Sequence, residues 1–287
     1  MELKHIAKRD GRLSTFLKGE LGLSTALMNK LKWQDKLFVN GVPQRADFAV
    51  KTGDVICLPL DEPAPEYPAE QGELVILYED DHILAVEKPA GMLVHPSRAT
   101  MTGTLANRVV AYYQATGQAA AFHPITRLDR DTYGIVLLAK NAHIHAKLNE
   151  LHSLGQLQKT YYAWVYGAPE QAEGEIDAPI ARRPLPSLLR YVNQEGKPSL
   201  TRYRVLERRG ETALLALQPV TGRTHQLRVH CAYMGFPILG DPQYCTEQSR
   251  QYSDGLGLTY QRLCAKELAF THPVTGEKLI LRSQTEV

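Results

Sequence analysis

Residues 61–72 read DEPAPEYPAEQG, and no helix or central strand can run through them. Pro63, Pro65 and Pro68 each fix φ and remove a backbone donor, and nothing apolar recurs between them. The stretch therefore reads as a linker over 61–71, with a small unit (1–60) before it and a larger one (72–287) after it. It also hides the charge of both. The formal net charge is only +2, but residues 61–81 hold eight acids and no Lys or Arg. The rest of the chain carries 33 bases against 23 acids. Both flanking units are basic, as a polyanion partner requires, although ordinary solvated charge would look the same.

In the small unit, LSTFLKGELGLSTALMNKLKW predicts two short helices broken near Gly22, with Ser14 and Ser24 as N-caps. Leu27, Met28 and Leu31 supply an apolar stripe to the second. Leu37–Val39, a turn at Asn40-Gly41 and a strand at Val55–Leu58 follow. The large unit alternates strand-like segments (LVILYED, ILAVEK, IVLLAK, TYYAWVYG, LTRYRVLE, TALLALQP, LCAKELAF, KLILR) with helical ones (TLANRVVAYYQA, HIHAKLNELHS, THQLRVHCAYMG). The last helix has Thr224 as its expected cap, Leu227, Cys231 and Met234 on one face, and Gly235 at its end. Without a regular β-α-β rhythm, the expected class is α+β: a mixed, largely antiparallel sheet flanked by helices.

Several functions lack sequence support. No apolar run approaches the ~20 residues of a membrane span. The start, MELKHIAKRDG, has no signal-peptide stretch, so a cytoplasmic protein is expected. Cys57, Cys231, Cys245 and Cys264 are widely spaced, as reduced and partly buried thiols would be. His225 and His230 are five apart, where ligands on one helical face want four, so they read as hydrogen-bonding residues and no metal is expected. Neither G-x-G-x-x-G nor G-x-x-x-x-G-K-[ST] occurs, so no nucleotide cofactor is expected either.

Chemistry concentrates in three stretches. RLDRDTYG places Arg127, Asp129, Arg130 and Asp131 at the mouth of the apolar strand Ile135–Ala139. An exposed turn with screened ion pairs accounts for these letters. So does a carboxylate aimed into a cleft and matched by an arginine. KTYYAWVYG puts Tyr161 and Tyr162 on opposite faces of a strand, one interior and one exposed. The interior ring serves either as core or as a stacking surface for a base. TGRTHQLRVH sets Arg228 one turn into a helix, looking inward if its partner is buried.

Taken together, RLDRDTYG with IVLLAKN, KTYYAWVYG, and TGRTHQLRVH followed by GFPILGDPQY closely resemble the three signature regions of the RluA-type RNA pseudouridine synthases. ILYEDDHILAVEKPAGMLVHPS resembles that family's opening segment, with its K-P-x-G turn at Lys88, Pro89 and Gly91. The likeness runs from about residue 73 to the end. Residues 1–60 resemble, more weakly, the alpha-L RNA-binding module that often precedes this catalytic domain. The resemblance implies that Asp129 is the catalytic aspartate and that Arg127 can fill the space left by a flipped nucleotide. It likewise implies that Tyr161 stacks on the base, that Arg228 pairs with the aspartate, and that Leu227 lines the adjacent apolar pocket. Two positions depart from the usual motif: Thr126 replaces a His and Tyr133 a Ser. The bulk of Tyr133 is expected to bear on the cleft or on the RNA it accepts.

The implied reaction isomerises uridine in structured RNA, and needs no energy donor and no cofactor. Ribosomal RNA of the large subunit is the favoured partner, with transfer RNA the other candidate. A monomer is expected, and Lys30, Lys32 and Lys36 are candidate RNA contacts in the small unit. A nonenzymatic RNA-binding or remodelling protein on the same fold is the competing class. Basic flanks suit it equally, but it has no need of an Asp, a Tyr and an Arg in three separate motifs.

Overall fold

All seven residues of the strand Tyr133–Ala139 are buried. A run this apolar needs cover on both faces, and it has it. Val136 and Leu138 point into a cluster with Leu105, Val109 and Tyr113 of the helix Leu105–Ala115. Ile135, Leu137 and Ala139 point the other way, against Ile144 and Leu148 of the helix Ala142–Ser153. Thr104 and Asn141 cap these two helices by accepting from the backbone N–H groups of Asn107 and Ile144. The computed structural model describes residues 2–60, 62, 67–97 and 100–287. Residues 61 and 63–66 of the expected linker lie outside the described residues.

Around this strand the main sheet runs in the order Glu173–Asp177, Leu200–Arg209, Thr212–Pro219, Gln158–Tyr166, Leu263–Thr271, Tyr133–Ala139, Ile83–Lys88, Val75–Glu79. Lys278–Arg282 adds to Leu263–Thr271, and His123–Pro124 to Tyr133–Ala139. Among the described residues the one parallel pairing joins Tyr133 and Gly134 to Cys264 and Ala265; the neighbouring pairings are antiparallel. The mixed, largely antiparallel α+β class is therefore the observed one.

Three local expectations need correction. Ser14 lies inside the first helical turn, which follows Arg12 and has no side-chain cap. Ser24 does cap, accepting from Leu27 N–H at 3.2 Å. Thr224 is not the cap of the helix Gln226–Tyr233; His225 is, with a left-handed φ of 58°. Met234 is 44% exposed because that helix has ended and turned away at Gly235 (φ 87°). A further helix, Glu247–Gly255, carries no apolar stripe to betray it: it buries Ser249 and Ser253 and starts from a capping box at Thr246.

Residues 2–60 build their own four-stranded sheet, with Val55–Pro59 between Glu2–Ile6 and Phe38–Val39, and Val42–Pro43 at its edge. Asn40 and Gly41 turn with φ of 49° and 78°, as a two-residue hairpin demands. Leu3, Phe16, Leu17, Leu31, Ile56 and Leu58 form an apolar cluster there, distinct from those of the main sheet. No helix among the described residues is long and apolar enough to cross a membrane.

Gly134 holds the parallel junction together. Its φ is 105°, and a Cβ there would lie 2.5 Å from the carbonyl oxygen of Ala265. Gly134→Ala must displace one strand from the other. We expect a loss of roughly 3 kcal/mol or more in urea unfolding; a change under ~0.5 kcal/mol would mean that the junction yields freely.

Candidate active site

The segment that leads into Tyr133–Ala139 is tied down from three sides. Thr126 Oγ1 accepts from Leu137 N–H at 3.0 Å. Thr132 Oγ1 accepts from Gln261 Nε2 at 2.6 Å, and Thr132 N–H donates to the Asp129 carbonyl at 3.2 Å. Beneath it, the fully buried Lys88 donates from Nζ to the carbonyls of Pro89 (2.8 Å), Met92 (2.7 Å) and Arg130 (2.9 Å). One amine thus fixes both the K-P-x-G turn and the backbone next to Asp129.

Asp129 projects from this anchored turn, its side chain 30% exposed, into an open cleft of about 960 Å³. Arg127, Tyr161, Leu227 and Arg228 line the same cleft. All five residues singled out in the large unit therefore meet in one place, from three elements far apart in sequence. The other two charges of the motif do something else: Arg130 pairs with Asp131 at 3.1 Å, with Arg130 64% exposed. Both sequence readings hold, for different residues of the same turn.

Arg228 is the most constrained group. Its side chain is 5% exposed. Nε and Nη2 donate to the two oxygens of the fully buried Asp241 at 2.7 and 2.9 Å, a two-pronged pairing. Nη2 also donates to Gln243 Oε1 at 2.9 Å, and Nη1 reaches Asp129 Oδ2 at 3.1 Å. The ring of Tyr244 lies 4.9 Å from the guanidinium carbon. Burial by itself would lower the pKa of Arg228. Asp241 chiefly, then Asp129, outweigh burial and hold it above its ordinary value. Asp241 accepts two further bonds, from the N–H groups of Gln243 and Tyr244.

Beside this pair, His225 Nε2 stands 3.9 Å from Asp129 Oδ2. Its Nδ1 is 2.8 Å from the Tyr244 hydroxyl, which accepts from Arg190 N–H at 2.9 Å. Burial pushes His225 below the usual histidine value, although Asp129 opposes this. His230, by contrast, is buried and fully engaged with Thr201 Oγ1 and the Ala178 carbonyl, both at 2.9 Å. Among the described residues no group of three or more His, Cys, Asp or Glu is placed to hold a metal ion.

Tyr161 is 9% exposed, and burial pushes its hydroxyl well above the usual value. Tyr133 is buried against Tyr260, ring centroids 5.9 Å apart, and does not line the cleft; Thr126 does. The bulk of Tyr133 is absorbed on that far side. Lys30, Lys32 and Lys36 stand apart from the cleft. Lys30 lines a separate cavity of about 280 Å³ between the helices Thr25–Trp33 and Ala142–Ser153, Lys32 is exposed, and Lys36 is half-buried. Sequence reasoning missed Asp241, Gln243 and Tyr244, although the Gly-Asp-Pro of GFPILGDPQY was the available signal.

Lys88 supplies a test of the anchoring. Burial pushes its amine down from 10.5 to about 7, against the pull of Asp131 and Asp129. Between those values the unfolded chain holds a proton that the folded chain lacks. Wild-type stability relative to Lys88→Met should therefore rise with pH across that window in chemical unfolding experiments. A difference that stays flat from neutral to alkaline pH would contradict the lowered pKa and mean that the three carbonyls keep the buried amine protonated.

The geometry can now be set beside known proteins. Residues 82–233 match the family model described as RNA pseudouridylate synthase. A Bacillus subtilis protein named uncharacterized RNA pseudouridine synthase YjbO is 36% identical over 91% of this chain and 91% of its own length. The ribosomal large subunit pseudouridine synthase C of Vibrio cholerae is 33% identical over 96% of this chain and 90% of its own. Among solved structures, human RNA pseudouridylate synthase domain containing 4 superposes with a TM-score of 0.60 at 27% identity, covering 74% of this chain and 88% of that one. A family model that spans more than half the chain, relatives matched along almost their whole length and a shared fold lead to one conclusion: the chain belongs to the RluA-type RNA pseudouridine synthases, enzymes that isomerise uridine to pseudouridine in RNA.

Proposed function

We propose that this enzyme converts specific uridines of large-subunit ribosomal RNA to pseudouridine, with Asp129 as its catalytic carboxylate. The observation that carries the reading is the setting of that side chain. Asp129 is the one carboxylate among the described cleft-lining residues, and its partner is a buried arginine that a second aspartate already orients. The choice of RNA rests on relatives named ribosomal large subunit pseudouridine synthase C and D.

A uridine inside folded RNA must first leave its stack, at a cost of about a few kcal/mol. Arg127, exposed at the cleft and without a hydrogen bond among the described residues, is suited to fill the gap and meet phosphates. Tyr161 offers its ring to the extruded uracil, and Leu227 an apolar wall. Breaking the bond between ribose and uracil N1 develops positive charge on the sugar, which an ionised Asp129 stabilises. The detached uracil turns in the cleft and rejoins the ribose through C5; C5 gives up its proton and N1 takes one, so the balance closes. Nothing is added overall, so one carboxylate held in a defined direction suffices. Residues 1–60 act in this scheme as an RNA-binding module, with Lys30, Lys32 and Lys36 as basic contacts.

Pseudouridine mapping on unmodified cellular RNA, with Asp129→Asn as the control, tests the assignment. New sites in large-subunit ribosomal RNA are expected with the wild type alone. Near-wild-type turnover by Asp129→Asn would sink the catalytic role, and sites confined to transfer RNA would overturn the target. Removal of residues 1–60 should shift or weaken site choice; unchanged selection would count against the module.

A further inference from the structure

The cleft extends well beyond Asp129. One wall is the helix Ala142–Ser153, whose residues His145, Asn149 and His152 line it at intervals of four and three, one face of a helix. The strand Gln158–Tyr166 adds Lys159 to the lining. Lys159 lies two residues before Tyr161, about 7 Å along the strand, and both reach the cleft.

The charge balance of this wall is one-sided. Among the described residues the lining holds Arg127, Lys159, Arg223 and Arg228 against the single carboxylate of Asp129, which Arg228 already engages. Lys159 is half-buried, and its hydrogen-bond partner is an imidazole: its Nζ donates to His152 Nε2 at 2.9 Å. Burial depresses the amine, and no carboxylate among the described residues pulls it back up. A partly buried cation without a counter-charge is costly, and an arriving anion offsets that cost. Further along the wall, His145 is fixed on two sides. Asn149 Nδ2 approaches its ring nitrogens at 3.1 and 3.4 Å, and the ring of His123 lies 5.3 Å away at 30°. Burial pushes both His145 and His152 below the usual histidine value, so near neutrality they are uncharged hydrogen-bonding groups suited to ribose hydroxyls.

We propose that Lys159 with His152 forms a phosphate seat for the nucleotide next to the target uridine, and that Asn149 and His145 carry the RNA backbone onward along the helix Ala142–Ser153. The inference rests on the synthase reading of the cleft and deepens it: the enzyme grips the sugar-phosphate strand beside the flipped base, and not the base alone. Lys159 binds and orients here; it takes no part in the chemistry.

The test uses the full chain and a short fluorescent oligouridylate, followed by anisotropy between about 50 and 200 mM salt. Lys159→Gln should bind roughly fivefold to tenfold more weakly at the low-salt end, with the slope of log affinity against log salt flatter by about 0.7, one single-strand phosphate contact. Lys159→Arg should restore the slope. Asn149→Ala, at an exposed position that leaves the core intact, should weaken binding roughly threefold with the slope unchanged. Wild-type affinity and slope in Lys159→Gln would overturn the seat. If that variant does not fold, wild-type binding by Asn149→Ala would overturn the track. Pseudouridine formation by the wild type, measured alongside, separates the two readings: intact activity with an unchanged slope removes the seat alone. A flattened slope with no modified ribosomal RNA removes the proposed target and leaves the seat standing.

Discussion

Arg228 sits between two aspartates, and the rest of the site depends on how it divides itself between them. Asp241 takes both prongs of the guanidinium in a fully buried pairing; Asp129 receives one bond from the remaining nitrogen. The first pairing answers the cost of burying the arginine. The second then comes from a donor that cannot wander. A buried ion pair seldom adds stability over an apolar substitute, so what this one supplies is direction more than energy. Tyr244 under the guanidinium and Gln243 beside it close the remaining sides.

The carboxylate is held as firmly from behind. Lys88 reaches three backbone carbonyls, one of them next to Asp129, and Thr126 and Thr132 tether the flanks of the same turn. The main sheet explains why this turn lies where it does. It feeds a strand buried on both faces, which meets its parallel neighbour only at Tyr133 and Gly134. The turn just ahead of that junction carries Arg127 and Asp129 past the end of the sheet into the cleft. The floor is rigid and the mouth is open, an arrangement suited to a macromolecular substrate that presents one base at a time.

Much of this was readable in the sequence because it is local. The strands of the main sheet follow from runs such as IVLLAK and TALLALQP, the helix after Thr104 from TLANRVVAYYQA, and the capped start at Ser24 from its first turn. Asp129, Tyr161 and Arg228 each sit in a short motif with its own logic. What escaped depends on distant contacts. Asp241 is one acid among many until the fold brings it under Arg228, and the helix Glu247–Gly255 packs serines where periodicity looks for leucines. His225 takes the cap position expected of Thr224 and accepts a left-handed backbone there. Its fixed Nδ1 and its approach to Asp129 at 3.9 Å accompany that strain, in keeping with the habit of strained residues to gather at functional sites. Arg130 and Asp131 were indistinguishable in sequence from their neighbours; in the fold they pair with each other and neither lines the cleft.

If Asp129 is the catalytic carboxylate proposed above, it acts in the one direction in which Arg228, oriented by Asp241, holds it. The most direct measurement is the single-turnover rate of pseudouridine formation at saturating RNA for Asp241→Asn, which keeps the size of the side chain and removes its charge. The account predicts a fall of roughly 100-fold in that rate, with RNA affinity within about twofold of the wild type. A folded Asp241→Asn enzyme that turns over at the wild-type rate would contradict it.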